Sequence, residues 1–458
     1  MPNAFAKESM QYFQEICGIP HCSFHTQNMF EYLTATLKQK GYEVQTDKAK
    51  NVYAKKGNPR VCLQSHYDMV CVGESTHHKG IQTREEKGFL YATNSSLGAD
   101  NGIGMSSMLA LNLPDVELLF TNDEEVGMIG ANHLQLKIQS SLLLNLDSEA
   151  IDDIVVGCAG GVDIECHIPL QPFSKDLNSL LATHPYVYRI VSEGFLGGHS
   201  GIEIHKNKDN AIAEFGFWLE GLGFPTYIIT LKAGEKRNSI PTGLESIILC
   251  PQQISNLHPH STQNSAFCIT SLNAESLQDF QYAYHQDAIV PLLVGLHSGV
   301  YAFNEQGTLS SLNLSLLEQS TDTLTLIMMA RANTDSLLHH LIAHIQSTAK
   351  YLNLHCTTHT KGFYSAWERS IADEHPALLL LHSLYAKHSI MPRITQIHAG
   401  LEGGILKKNL LALGEQENID VLSIGPTIHS PHSCNECLDL KSFEAFCEIL
   451  YGFVQSYA

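Results

Sequence analysis

The sequence predicts an α/β protein. A mostly parallel sheet covered by helices is built from both chain ends, and an α+β unit is inserted between them. Three observations carry this. Helical and strand periods alternate through the first 150 residues, the texture changes in the middle third, and alternating signals resume from about residue 361. At 458 residues the chain is long enough for two or three cores. The layout follows as residues 1–183 with 361–458 for one domain and 184–360 for the insert.

Residues 5–17 place Phe5, Met10, Phe13, Ile16 and Cys17 at helical spacing. A second helix runs over about 27–40 and stops at Gly41. Tyr42–Thr46, Val52–Ala54 and Val61–Leu63 read as strands, and about 71–97 as a loop. A helix over Asn101–Leu113, the strand Val116–Thr121, a helix near 129–136 and the strand Leu142–Leu146 complete the first part. In the insert, strands are expected at Tyr186–Val191, Tyr227–Leu231 and Thr323–Arg331, with helices at 210–222 and 336–352. Residues 251–320 show weak periodicity. Helices at 376–388 and 441–456 and a strand at 394–398 close the chain.

Composition narrows the function. Lys and Arg number 28 against 47 Asp and Glu, a net charge of −19, which opposes binding to nucleic-acid phosphates. No apolar run is long enough to cross a bilayer, and the first 17 residues lack a signal-peptide core, so a cytoplasmic location is expected. The 12 cysteines are scattered, and free thiols are the expectation for that location. The 25 histidines, with many carboxylates, supply metal-ligand chemistry.

Acidic and His residues recur at expected strand ends. His66 and Asp68 follow an apolar strand, and residues two apart on an extended segment point the same way. One can ligate a cation while the other orients it. The plain alternative is one His capped by one Asp. Asp100, among glycines before a helix, is either an N-cap or a carboxylate bridging two cations. Glu124 and Glu125 follow the strand ending at Thr121, at the edge where open α/β sheets bind ligands. One can ligate while the other acts as general base, or both can sit in a solvated acidic turn. Asp147 repeats the pattern. His432, with His429 nearby, is the last candidate. Cys434 and Cys437 raise a rival, a structural zinc site of two His and two Cys. His199, in a Gly-rich turn, can donate to an oxyanion. Arg237 or Arg331 can pair with a substrate carboxylate. Together these residues suit two divalent cations and metal-assisted amide hydrolysis.

Six segments then fix a resemblance: Ser65–Val70, Leu97–Gly104, Asp123–Met128, Leu146–Glu149, Gly197–Gly201 and Ser423–Ser433. In this order they resemble the co-catalytic zinc metallopeptidases related to carnosinases. His398–Glu402 and Gly425–Ile428 resemble the aminoacyl-histidine dipeptidase (cytosol non-specific dipeptidase) branch. The resemblance implies His66, Asp100, Glu125, Asp147 and His432 as metal ligands, with Asp100 bridging. It makes Asp68 a tuning residue at His66, Glu124 the general base that activates a bridging water, and His199 the oxyanion donor. Asn238, Arg331, His398 and Glu402 fall in substrate-contact segments. The implied cofactors are two divalent ions, Zn with Mn or Co as alternatives. The implied partners are a small unblocked dipeptide, Xaa-His included, and a second copy bound through the inserted lid. Alternatives are a tripeptide aminopeptidase, an N-acyl-amino-acid amidohydrolase, or a non-catalytic metal-binding scaffold. The family usually has a small β-branched residue where Tyr67 stands, so Tyr67 is expected to crowd the site entrance.

Overall fold

In the computed structural model, which describes residues 2–74, 80–170, 174–254, 265–305, 307–414 and 418–457, the alternating signals of the N-terminal part become a layered α/β unit. This unit comprises Met1–Cys158, Trp367–Ile397 and Leu401–Ala458. Among the described residues its sheet has eight strands. In spatial order they are Glu43–Thr46, Val52–Lys56, Val116–Thr121, Val61–His66, Leu142–Asn145, Asp420–Ser423, Asp153–Cys158 and Arg393–Ile397. The four strands from Val116–Thr121 to Asp420–Ser423 run parallel. Antiparallel pairing enters at the Glu43–Thr46 edge and where Asp420–Ser423 meets Asp153–Cys158.

The middle strands are buried along their length because helices cover both faces. Phe5, Phe13 and Ile16 of the Pro2–Cys17 helix, Met105 and Met108 of the Ala99–Ala110 helix, and Phe446 and Phe453 of the Leu440–Tyr457 helix fill one core with strand residues such as Leu63 and Leu118. The parallel arrangement puts the C-terminal ends of four strands on one edge. That edge carries the site.

The second unit comprises Ala159–Ala366 and His398–Gly400. Its sheet is antiparallel and runs through Ala266–Leu272, Tyr186–Glu193, Leu244–Cys250, Tyr227–Ala233, Gly307–Gln319, Thr323–Ala332, Gly160–Pro169 and Thr357–Tyr364. The helices Ala211–Gly221 and Asp335–Leu352 pack their apolar stripes on this sheet. Sequence reading set the boundaries at 183 and 361, whereas the division falls after Cys158 and after Ala366. The strand Gly160–Pro169 shows why: it pairs with Thr323–Ala332 and Thr357–Tyr364 of the second unit.

Other local expectations change. The helix expected over 129–136 is one turn, Ile129–Asn132. Beyond it Leu134, Leu136 and Ile138 are buried while His133, Gln135 and Lys137 are exposed. That is a period of two, which marks an extended segment. The expected loop 71–97 contains a hairpin, Thr83–Glu86 with Phe89–Ala92. The weakly periodic 251–320 stretch holds four strands among its described residues, including the 13-residue Gly307–Gln319. Residues 255–264 of that stretch lie outside the described ones. The expectation of free thiols is corrected at one pair: Cys22 and Cys71 form a disulfide. A backbone bridge between Cys22 and Met69 holds the two segments side by side.

Candidate metal centre

His66 ends a central strand and Asp68 follows it on the same side. Both are buried. His66 Nδ1 lies 3.0 Å from the Asp68 carbonyl and 3.5 Å from its Oδ1. The Asp68 carboxylate does more than face an imidazole. Its Oδ1 accepts from the backbone N–H of Glu124 at 2.8 Å, and its Oδ2 accepts from Glu125 N–H at 3.3 Å and from the Ser23 hydroxyl at 2.8 Å. Asp68 thereby ties two strand ends together. Burial opposes its charge, but His66 and these donors hold its pKa below the ordinary value. Tyr67 points the other way, as strand alternation requires. It is fully buried in the core, with its hydroxyl donating to Lys50 O at 2.8 Å. The expectation that Tyr67 crowds the entrance is therefore wrong.

Asp100 stands at the start of the Ala99–Ala110 helix without being its N-cap, a position held by Gly98 at φ 67°. Its two oxygens face two imidazoles: Oδ1 is 3.1 Å from His66 Nε2 and Oδ2 is 3.1 Å from His432 Nε2. Burial would raise the Asp100 pKa, but the two His hydrogen bonds outweigh it and hold the carboxylate ionised. Asp147, after the strand Leu142–Asn145, lies 3.3 Å from His66 Nε2 and accepts from Asn101 Nδ2 at 2.6 Å. Gly104 leaves room for that Asn101 side chain, since a Cβ there would meet Asn101 Oδ1 at 2.1 Å.

Glu124 and Glu125 follow the strand Val116–Thr121. Glu125 Oε1 lies 2.9 Å from His432 Nε2, the imidazole it shares with Asp100. Burial, then Asp100, push Glu125 up to about 7. Burial, then the neighbouring Glu125, push Glu124 well above the ordinary range. Burial raises Asp147 to about 6, the first of its causes, and Glu149 to about 8. His432 goes up to about 11, because Asp100 and Glu125 outweigh the burial that would lower it. Among the described residues, no Lys or Arg forms an ion pair with Asp100, Glu124, Glu125 or Asp147.

A cluster of four carboxylates and two imidazoles, with no Lys or Arg paired to those carboxylates among the described residues, is short of positive charge. Hard-to-borderline cations bind this donor set. Three overlapping groups have ligand atoms within 4.8 Å of one another: His66, Asp100 and Asp147; Asp100, Glu125 and His432; and His66, Glu124 and Glu125. The first two share Asp100. His429 and the Cys434/Cys437 pair are in none of these groups. His429 is exposed on the strand Ile428–His429 with its ring against Phe89. The rival site of two His and two Cys is thus not assembled among the described residues.

Sequence reading missed several partners. Asn101 fixes Asp147, Ser23 holds Asp68, and Glu436 holds the Asp100 loop. Each acts across 45 or more positions of sequence, so no spacing reveals it. Glu402, expected at the substrate, is fully buried behind the strand ends, where its Oε2 accepts from Gln64 at 2.7 Å and Thr121 at 2.5 Å. Burial raises it to about 7.

The second unit gathers its own polar group. His199 Nδ1 accepts from Gly201 and Ile202 N–H at 3.2 and 3.1 Å, so the neutral ring carries its proton on Nε2. Arg331 is buried and donates to Tyr364 Oη at 2.7 Å, while its Nε has no partner. Among the described residues Arg331 has no carboxylate partner. His398 lies 2.8 Å from Ser311 Oγ and 3.0 Å from Asn333 Oδ1. Burial, then Arg331, hold His398 neutral by lowering it to about 3. A Cβ on Gly201 would meet His398 O, His199 Cε1 and Arg331 Nε, which places the three side by side. Asn238 is exposed, and its carbonyl accepts from Ser200 N–H. Arg237 is engaged by Asp163.

No protein-family model matches the chain. Its sequence is 30% identical over 478 residues to the cytosol non-specific dipeptidase of Escherichia coli (strain K12), a match covering 96% of this chain and 95% of that protein. Its structure resembles aminoacylhistidine dipeptidase from Vibrio alginolyticus with a TM-score of 0.73 and 25% identity, over 98% of this chain and 96% of the other. Aminopeptidase PepT from Bacillus cereus shares the fold, with a TM-score of 0.59 and 14% identity over 99% of this chain and 98% of that one.

Proposed function

The chain belongs to the family of the cytosol non-specific dipeptidases, and we propose that it hydrolyses the peptide bond of unblocked dipeptides, Xaa-His dipeptides among them, as a metal-dependent enzyme. In this reading His66, Asp100 and Asp147 hold one divalent cation, and Asp100, Glu125 and His432 hold the other. Zinc suits the donors, with manganese or cobalt as alternatives. The observation that carries the reading is Asp100, whose oxygens each face a different imidazole at 3.1 Å in a cluster short of positive charge. Bound there, the cations would polarise a carbonyl and make water a better nucleophile.

The chain's own residues do the rest. Glu124 is not needed in either shared group, and its place beside His66 and Glu125 suits it to take a proton from water and pass it to the leaving amine. Asp68 fixes the backbone of Glu124 and Glu125. From the second unit, which acts as the lid in this proposal, His199 offers Nε2–H to the developing oxyanion. Arg331, buried without a carboxylate, suits the substrate's C-terminal carboxylate. His398 and Asn238 are assigned to the same substrate. The same proposal places the chain in the cytoplasm, as the name of its Escherichia coli relative suggests, and has the lid pair two copies.

A dipeptide panel tests this. Release of two free amino acids, stopped by a chelator and restored by added zinc, manganese or cobalt, supports the proposal. Hydrolysis indifferent to the chelator overturns the metal role. Cleavage of N-acyl amino acids but of no dipeptide moves the chain to the amidohydrolase alternative.

A further inference from the structure

His432 and Glu436 share one loop, between the short strands Ile428–His429 and Cys437–Asp439. His432 reaches the cluster directly. Glu436 does not, yet it is 2% exposed, and no Lys or Arg among the described residues pairs with it. Its carboxylate is taken up by a row of backbone donors. Oε2 accepts from Leu97 N–H at 2.8 Å and Gly98 N–H at 3.0 Å, and Oε1 from Ala99 N–H at 2.8 Å and Asp100 N–H at 3.4 Å. These donors lie before the regular turns of the Ala99–Ala110 segment, where Asp100 and Asn101 have non-helical backbone angles, so these buried amides need acceptors from elsewhere. The left-handed Gly98 turns the chain so that consecutive amides converge.

We propose that Glu436 is a positioning residue for the metal centre. It occupies the amides of residues 97–100, so that the Asp100 carboxylate turns no oxygen back to them and presents one oxygen toward His66 and the other toward His432. The same carboxylate fixes the loop that carries His432 against the loop that carries Asp100. One hydrogen-bonded cluster therefore sets the distance between a bridging ligand and a terminal ligand that are 332 positions apart. The inference rests on the two-cation reading above and adds a residue to it.

The test is a zinc titration of the metal-free full chain against a chromophoric competing chelator. Glu436→Gln keeps the size of the side chain but turns an NH2 group toward two of the amides. A carboxylate that supports a ligand from behind typically contributes 10- to 100-fold in metal affinity. Zinc affinity is therefore expected to fall by roughly that factor in Glu436→Gln. It should recover in part in Glu436→Asp and stay unchanged in Glu444→Gln, an exposed charge on the C-terminal helix. Circular dichroism of the metal-free variants checks the fold. A folded Glu436→Gln chain that binds zinc as the unaltered chain does overturns the inference. If Glu436→Gln fails to fold, Glu436→Asp decides: weakened zinc supports positioning, and unchanged zinc overturns it. Failure of both to fold overturns it too, since Glu436 is then a folding residue. Failure of the unaltered chain to bind zinc rejects the two-cation reading instead.

Discussion

Replacing Asp68 with Ala is the sharpest perturbation of the strand-end edge. The carboxylate is 1% exposed and accepts three hydrogen bonds, two from the backbone of Glu124 and Glu125 and one from Ser23. Alanine leaves those donors without an acceptor, and each buried unsatisfied group costs about 1–3 kcal/mol. The two backbone amides alone span about 2–6 kcal/mol, and the long 3.3 Å bond from Glu125 N–H puts the loss in the lower half, about 3 kcal/mol. For a unit of roughly 250 residues each kcal/mol moves Tm by about 2–4 °C, so the metal-free first unit should melt about 6–12 °C lower. The sign with pH follows from the depressed Asp68 pKa. Its contribution is complete above the ordinary carboxylate value and is lost as pH falls through the folded value. The gap between the unaltered chain and Asp68→Ala should thus be full at pH 7 and shrink on acidification below pH 4. Calorimetry of both metal-free chains at pH 7 measures it. A shift below about 1 °C at pH 7 would refute the idea that Asp68 ties the two strand ends.

Three further outcomes are expected. Glu124→Gln should lower kcat by about 10²- to 10⁴-fold with metal content unchanged, the range for losing a positioned base; elemental analysis beside dipeptide kinetics checks both halves. In the chelated chain, Glu125 and Asp147 have raised pKa values of about 7 and 6, so their protonated forms favour the fold and stability falls as pH rises. His432, raised to about 11, acts in the same direction, because its contribution is full below its ordinary value and fades as pH climbs through 11. The chelated chain should therefore melt lower at pH 8 than at pH 5.5, with zinc removing most of the difference; a chelated chain that melts higher at pH 8 contradicts the reading of the cluster. Tyr67→Phe should leave KM unchanged and cost about 1 kcal/mol, the net value of one hydrogen bond, because its hydroxyl reaches Lys50 O and not the site.

The legible part of this protein is the part that parallel-sheet logic governs. Apolar strands followed by His66, Glu124–Glu125 and Asp147 had to share an edge once the strands were parallel, and they do. Asp100 was readable as a candidate bridge from its glycines, although the same residues also fit an N-cap. What stayed hidden depends on contacts between distant segments. Glu436 gave no sign of a role in the sequence, because its amide partners lie more than 330 positions away. The burial of Glu402 was invisible for the same reason. Leu134 and Leu136 were misread through proximity to a real helical turn, although their alternation with Ile138 was on the page. Cys22 and Cys71 gave no sign of pairing, since scattered cysteines have no spacing that identifies a partner.

The central claim is that Asp100 is shared by two cations. Elemental analysis of the purified chain after zinc loading and gel filtration, alongside Asp100→Ala, measures it most directly. Two zinc ions per unaltered chain are expected, with one or none retained by the folded variant. A single ion in the unaltered chain, or two ions kept by Asp100→Ala, contradicts the account.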